Sequence, residues 1–153
     1  MIAHLIIASI QINALICVAL NRKEFVQVGD GTNQWDNVHL DEITDLYDLV
    51  FDFALSGNNT NKSYANFFWG SARTHAWGDI NDRLARIMYK KGLVTSDKVR
   101  SVTLEEEPGV AVAAHNSRTV SNRSFALGWK PEGARLVTDE DILEDEVDLT
   151  AAA

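Results

Sequence analysis

The chain has 153 residues, enough for one domain with a real core. An apolar content of 46% rules out a wholly disordered polypeptide. With 14 basic against 22 acidic residues the formal charge is -8, a field that disfavours both nucleic acid and anionic membrane surfaces.

The first 20 residues, MIAHLIIASIQINALICVAL, are apolar, but His4, Gln11 and Asn13 interrupt the run and no basic segment precedes it. They read as a buried element or an oligomer contact rather than a signal peptide or membrane span, so a cytoplasmic protein is expected. Residues 2–8 suit either a strand or an extension of the following helix. From Ser9, a candidate N-cap, to about Asn21, the residues Ile12, Leu15, Ile16, Ala19 and Leu20 recur at the spacing of one helix face. Cys17, the single cysteine, is expected to be a buried, inert thiol.

Phe25–Val28 reads as a strand and Gly29-Asp30-Gly31 as a turn, followed by an extended segment carrying Trp35 and His39. A helix is predicted from about Asp41 to Leu55. Its inward face is Ile43, Leu46, Tyr47, Val50 and Ala54, with Glu42, Asp45, Asp48 and Asp52 mostly on the other side. Ser56-Gly57 closes it. Tyr64–Trp69 is nearly all apolar and reads as a strand buried on both faces. Thr74 is a candidate cap for a helix reaching Lys90, with Trp77, Ile80, Leu84 and Ile87 as its inward stripe. Val99–Leu104 alternates as a strand, residues 105–114 read as a loop, and a short helix over Arg118–Leu127 ends at Gly128. Thr138 with Asp141 resembles a capping box opening a last helix that presents Ile142, Leu143 and Val147. Residues 139–153 thus form an acidic C-terminal helix with a frayed tail, its carboxylates a polar face rather than a metal site. No repeat or long linker divides the chain, so residues 1–153 are expected to form a single domain.

Five pieces carry a family likeness: Ser9–Ile12, Val28–His39 (VGDGTNQWDNVH), Thr74–Ile80 (THAWGDI), Asn116–Arg118 and Leu127–Pro131 (LGWKP). In that order they resemble the C-terminal half of fungal extended short-chain dehydrogenases/reductases, of the NAD-dependent epimerase/dehydratase type. The resemblance implies an α/β or α+β domain with three or four short strands and about five helices, from the part of the enzyme that closes over substrate. It also places strand 64–69 beside strands this chain lacks, an edge that needs cover. The departures are as informative. No G-x-G-x-x-G or G-x-x-G-x-x-G loop occurs, Gly29-Asp30-Gly31 does not open a helix, and no tyrosine has lysine four positions on. No nicotinamide cofactor is therefore expected on this chain alone. A homodimer is expected from the apolar surface, and a full-length reductase is a possible partner.

Among candidate chemical groups, His39 reads either as a structural histidine tying the extended segment to the next helix or as a general acid/base. His75 is expected to be exposed or capping. His115, Asn116 and Arg118 form a polar cluster. The resemblance puts Arg118 near the substrate pocket, where its guanidinium could grip an anion, and the competing reading is a salt bridge to the acidic tail. Trp35, Asn37, Trp69 and Trp77 are candidate substrate contacts, although each tryptophan also suits a core. Histidines at 4, 39, 75 and 115 show no metal-ligand spacing. Two functions follow as expectations. One is a cofactor-independent cyclase, isomerase or dehydratase of a hydrophobic metabolite, using His39, His115 and Arg118. The other is a non-catalytic binding protein, or an inactive fragment, derived from an NAD(P)-dependent reductase.

Overall fold

The computed structural model describes residues 9–57, 64–131 and 139–153. Among them the elements run α1 (Ile10–Arg22), β1 (Phe25–Val28), β2 (Gln34–Asn37), α2 (Leu40–Leu55), β3 (Arg73–Ala76), α3 (Trp77–Lys90), β4 (Val99–Val102), a 3-10 helix (Pro108–Ala113), α4 (Asn122–Ala126) and α5 (Glu140–Ala151). The described residues form a small α/β protein with four short strands among them. β1 pairs with β4 and β2 with β3, each as a two-stranded sheet. No described helix is long and apolar enough to cross a membrane. The chain divides into two compact units, one holding residues 1–34, 75–116 and 138–153, the other residues 35–74 and 117–137.

In the first unit, α1 begins where its cap predicts: the Ser9 hydroxyl accepts from the Ile12 amide, and Lys23 ends the helix in the left-handed region. Ile12, Leu15, Ile16 and Ala19 are buried on one stripe. Cys17 lies off that stripe, so helical geometry turns it outward; it is exposed, not buried as expected. β1 and β4 run parallel, Phe25 opposite Val99 and Val28 opposite Val102. α3 buries Trp77, Ile80, Leu84 and Ile87 as its spacing predicts, together with Asn81, Ala85 and Met88. Thr74 does not cap it. The first-turn amides of Trp77 and Gly78 donate instead to the carbonyls of Asn33 and Gly31, at 2.9 and 2.8 Å. The Gly29–Gly31 turn makes that approach possible: Gly31 has φ of 75°, and a Cβ there would sit 2.7 Å from the Gly78 Cα. With its N-terminus closed this way, α3 starts two residues later than expected, and His75 falls in β3 rather than in the helix.

The segment expected to be a loop at 105–114 contains the 3-10 helix, opened by the Glu107 carboxylate accepting from Gly109. α5 buries Leu143, Glu146, Val147 and Thr150, while Ile142 is only half-buried. The proposed Thr138 cap, residues 2–8 and His4 lie outside the described residues. α1 packs on α5 and the 3-10 helix, and α3 packs on α5 and β1.

In the second unit, α2 spans Leu40–Leu55 and closes at Ser56 and Gly57, which has φ of 72°. Its inward face is narrower than the pattern predicts. Leu46 is buried and Ile43 and Val50 are half-buried, but Tyr47 and Ala54 are exposed. Glu42, assigned to the polar face, is buried, because Arg73 grips both its carboxylate oxygens at 2.8 and 3.0 Å. The indole of Trp129, itself buried, donates to the Glu42 carbonyl at 2.7 Å.

The expected strand at 64–69 is absent. A turn over residues 64–66 leads into irregular backbone, and Tyr64, Phe67 and Trp69 are 80%, 58% and 58% exposed. The backbone hydrogen bonds explain the difference. Arg123 donates to the carbonyls of Tyr64 and Phe67, Ser124 to that of Trp69, and Ser121 both donates to the Ser71 carbonyl and accepts its amide. Side chains at 121–124 thus satisfy groups that a neighbouring strand would otherwise take. The helix predicted over 118–127 contracts to Asn122–Ala126, with Gly128 following at φ of 102°.

Candidate functional site

The second unit contains a hollow with mainly apolar walls. α2 contributes Ile43, Leu46, Tyr47 and Val50, and the irregular segment contributes Asn66, Phe67 and Phe68, around a cavity of about 280 Å³. Each wall has a local reason for its position. The bidentate Arg73–Glu42 pair and the Trp129 indole fix the first turn of α2. Phe68 is held edge-on to Phe53, ring centroids 5.5 Å apart. The hydroxyls of Ser121 and Ser124 hold the backbone at 69–71. Gly70 matters for space: a Cβ there would lie 2.0 Å from the Ile43 Cδ1, so only glycine leaves Ile43 where it lines the cavity. Tyr47 and Asn66 place polar groups on an otherwise hydrocarbon wall.

A second, more polar cleft of about 210 Å³ lies in the same unit, between Asp36–Val38, Trp69–Ser71, Ser117 and Thr119. Asp36 organises it. Its carboxylate accepts from the Thr119 amide and hydroxyl and, at 2.8 Å, from the Thr74 hydroxyl, while its amide donates to the Ser117 carbonyl. Burial pushes the Asp36 carboxyl upward, but the Thr119, Thr74 and Ser71 donors outweigh it and leave the group below the ordinary carboxylate value. A third hollow, of about 260 Å³, is lined by Phe67, Trp69, Val120, Asn122 and Arg123.

The residues singled out in the sequence separate across this arrangement. Asn37 and Trp69 both line the polar cleft. Trp35 is half-buried and bridges in parallel to Ser117. His39 is the N-cap of α2: its Nδ1 accepts from the Asp41 amide at 3.2 Å, and Glu42 in return accepts the His39 amide. Arg118 is exposed in the second unit. The other three belong to the first unit. Trp77 is buried in the core, edge-on to His75 at 5.1 Å. His115 is exposed, and the Asn116 side chain accepts from the Gln34 amide at 2.8 Å.

Asp36, Ser71, Ser117 and Thr119 had no sequence signal as a group, because long-range pairing brings them together: Thr119 meets Asp36 across 83 positions and Ser71 meets Ser121 across 50. Phe67 and Phe68 were visible as apolar residues, but as strand core rather than cavity wall. Among the described residues no group of His, Cys, Asp and Glu could hold a metal ion.

No protein-family model matches the chain, and no solved structure matches it. Over 146 residues it is 23% identical to a curated protein, Oxidase ucsJ of an Acremonium species. That alignment takes in 86% of this chain but only 42% of the relative, so the chain spans less than half of that protein's length.

Proposed function

We propose that this chain is the small-molecule-binding part of an oxidoreductase-type protein, in which the second unit's cavity receives the apolar portion of a metabolite. The observation that carries the reading is the cavity between α2 and residues 66–68, walled by aliphatic and aromatic side chains with two polar groups. Its volume, about 280 Å³, suits a ring or short acyl portion rather than a whole dinucleotide. The name of the Acremonium relative, an oxidase, and the resemblance to the substrate-closing half of extended short-chain dehydrogenases support the same direction. On this reading the chain contributes binding, and any redox cofactor is held by other polypeptide. The test is titration with a neutral hydrophobic fluorophore, comparing the native chain with Val50→Phe, which fills the cavity. Saturable binding that falls by about tenfold in the variant, with unchanged circular dichroism, is the expected result. Equal binding to both proteins refutes it.

A second reading, a cofactor-independent cyclase, isomerase or dehydratase, is favoured by one observation. His39 is 31% exposed and directly follows Asp36–Val38 of the polar cleft. Because Nδ1 is taken by the Asp41 amide, proton transfer would use Nε2. Asparagine at position 39 preserves a cap but cannot carry the proton. Turnover that survives His39→Asn removes this reading.

A further inference from the structure

We infer that the outward face of α2 is a docking surface for an amphipathic helix whose apolar stripe is edged by lysine or arginine. Leu40, Phe51 and Leu55 fall on one side of α2 at helical spacing, with Thr44 and Tyr47 between them. The three are 73%, 63% and 70% exposed. This is a second apolar stripe, separate from the Glu42–Leu46 side that faces the unit's interior. Isolated exposed leucines need no explanation, but a row running the whole length of a helix of 16 residues does.

Charge decides the occupant. Asp41, Asp45, Asp48 and Asp52 recur at steps of four, three and four along one edge of this stripe, and all four are exposed. Asp45, Asp48 and Asp52 have no ion-pair partner among the described residues. A partner helix with a basic edge would satisfy that row while its apolar side chains covered Leu40, Phe51 and Leu55. A second copy fits less well. Antiparallel two-fold pairing of α2 with itself puts both aspartate rows on the same side of the seam, and each chain already carries a formal charge of -8. This surface does not depend on the cavity being a ligand site.

The test uses the full chain and two fluorescent four-turn helical peptides with identical leucine stripes, one edged with lysine and one with glutamate. Anisotropy should show saturable binding of the lysine peptide, weakened at least about tenfold by Phe51→Glu and by added salt, and negligible binding of the glutamate peptide. The doubly substituted chain Asp48→Lys with Asp52→Lys, checked for helicity, should reverse the preference. If neither peptide binds, or both bind equally and the reversal changes nothing, the inference is wrong. Sedimentation provides the other arm: a native dimer that Phe51→Glu converts to monomer means that a second copy occupies the stripe, which also overturns the proposal.

Discussion

Gly70 shows how one missing methyl sets a site. Its backbone is not in the left-handed region, so alanine there meets no backbone strain; what it meets is Ile43. The contact is with the end of a flexible side chain, and the free space beside it is the cavity. Gly70→Ala is therefore expected to push Ile43 inward, costing little stability but weakening uptake of a hydrophobic probe. Ile43→Ala in the same chain should restore uptake, a non-additive pair that a double-mutant cycle measures directly. His39 carries a different kind of prediction. Since its ring nitrogen does the work of a capping oxygen, His39→Asn should unfold in urea near the native midpoint, whereas His39→Ala should lose about 1 kcal/mol. The position of His39, between the extended segment and an acidic helix, made a structural role readable, but that it caps α2, with Glu42 accepting its amide in return, was decided by the structure.

In the first unit, two glutamates give opposite pH dependence. The Arg100 guanidinium pulls the Glu24 carboxyl down to about 2, with burial opposing it and Arg22 assisting. A lowered value means the folded form prefers the charged group. That stability is present above the ordinary value near 4.5 and is lost as pH falls towards 2. Glu146 behaves conversely. It is buried where α5 meets the start of α1; Oε1 accepts the Ser9 amide at 2.7 Å, while Oε2 is buried without a hydrogen bond among the described residues. Burial raises its value, with the Ser9 amide only partly countering. The folded form therefore prefers the neutral acid, and stability present below 4.5 is lost as pH rises through the raised value. Urea midpoints against pH should accordingly show Glu146→Gln matching the native chain in acid and exceeding it at neutrality. Glu24→Gln should be the less stable at neutrality and converge with the native chain in acid. Neither behaviour was legible beforehand: Glu146 sat among seven carboxylates read as one polar face, and only the packing of α5 against α1 distinguishes it.

For the molecule as a whole, the prediction concerns cofactor. The chain has no glycine-rich loop opening a helix, and its Gly-Asp-Gly turn is occupied in closing the N-terminus of α3. Calorimetry on the isolated chain should detect no stoichiometric uptake of NAD(H) or NADP(H); tight uptake would return redox chemistry to this polypeptide. Helices with strong periodicity were legible from residue order: α1, α2 and α3 lie close to where their apolar spacing puts them, because that signal is local and each helix makes its own backbone hydrogen bonds, whereas the cap expected at Thr74 gave way to tertiary hydrogen bonds. β1 and β4 were legible as segments, though not as a parallel pair. What residue order could not supply was the fate of Tyr64–Trp69, the burial of Glu42, the exposure of Cys17, and the hollows described in the second unit. An extended apolar segment becomes a strand only if another strand offers its edge, and here hydroxyls and a guanidinium from 121–124 took the backbone groups first. Long-range partners of that kind leave no period in the sequence, so three-dimensional proximity alone made a cavity from residues that read as core.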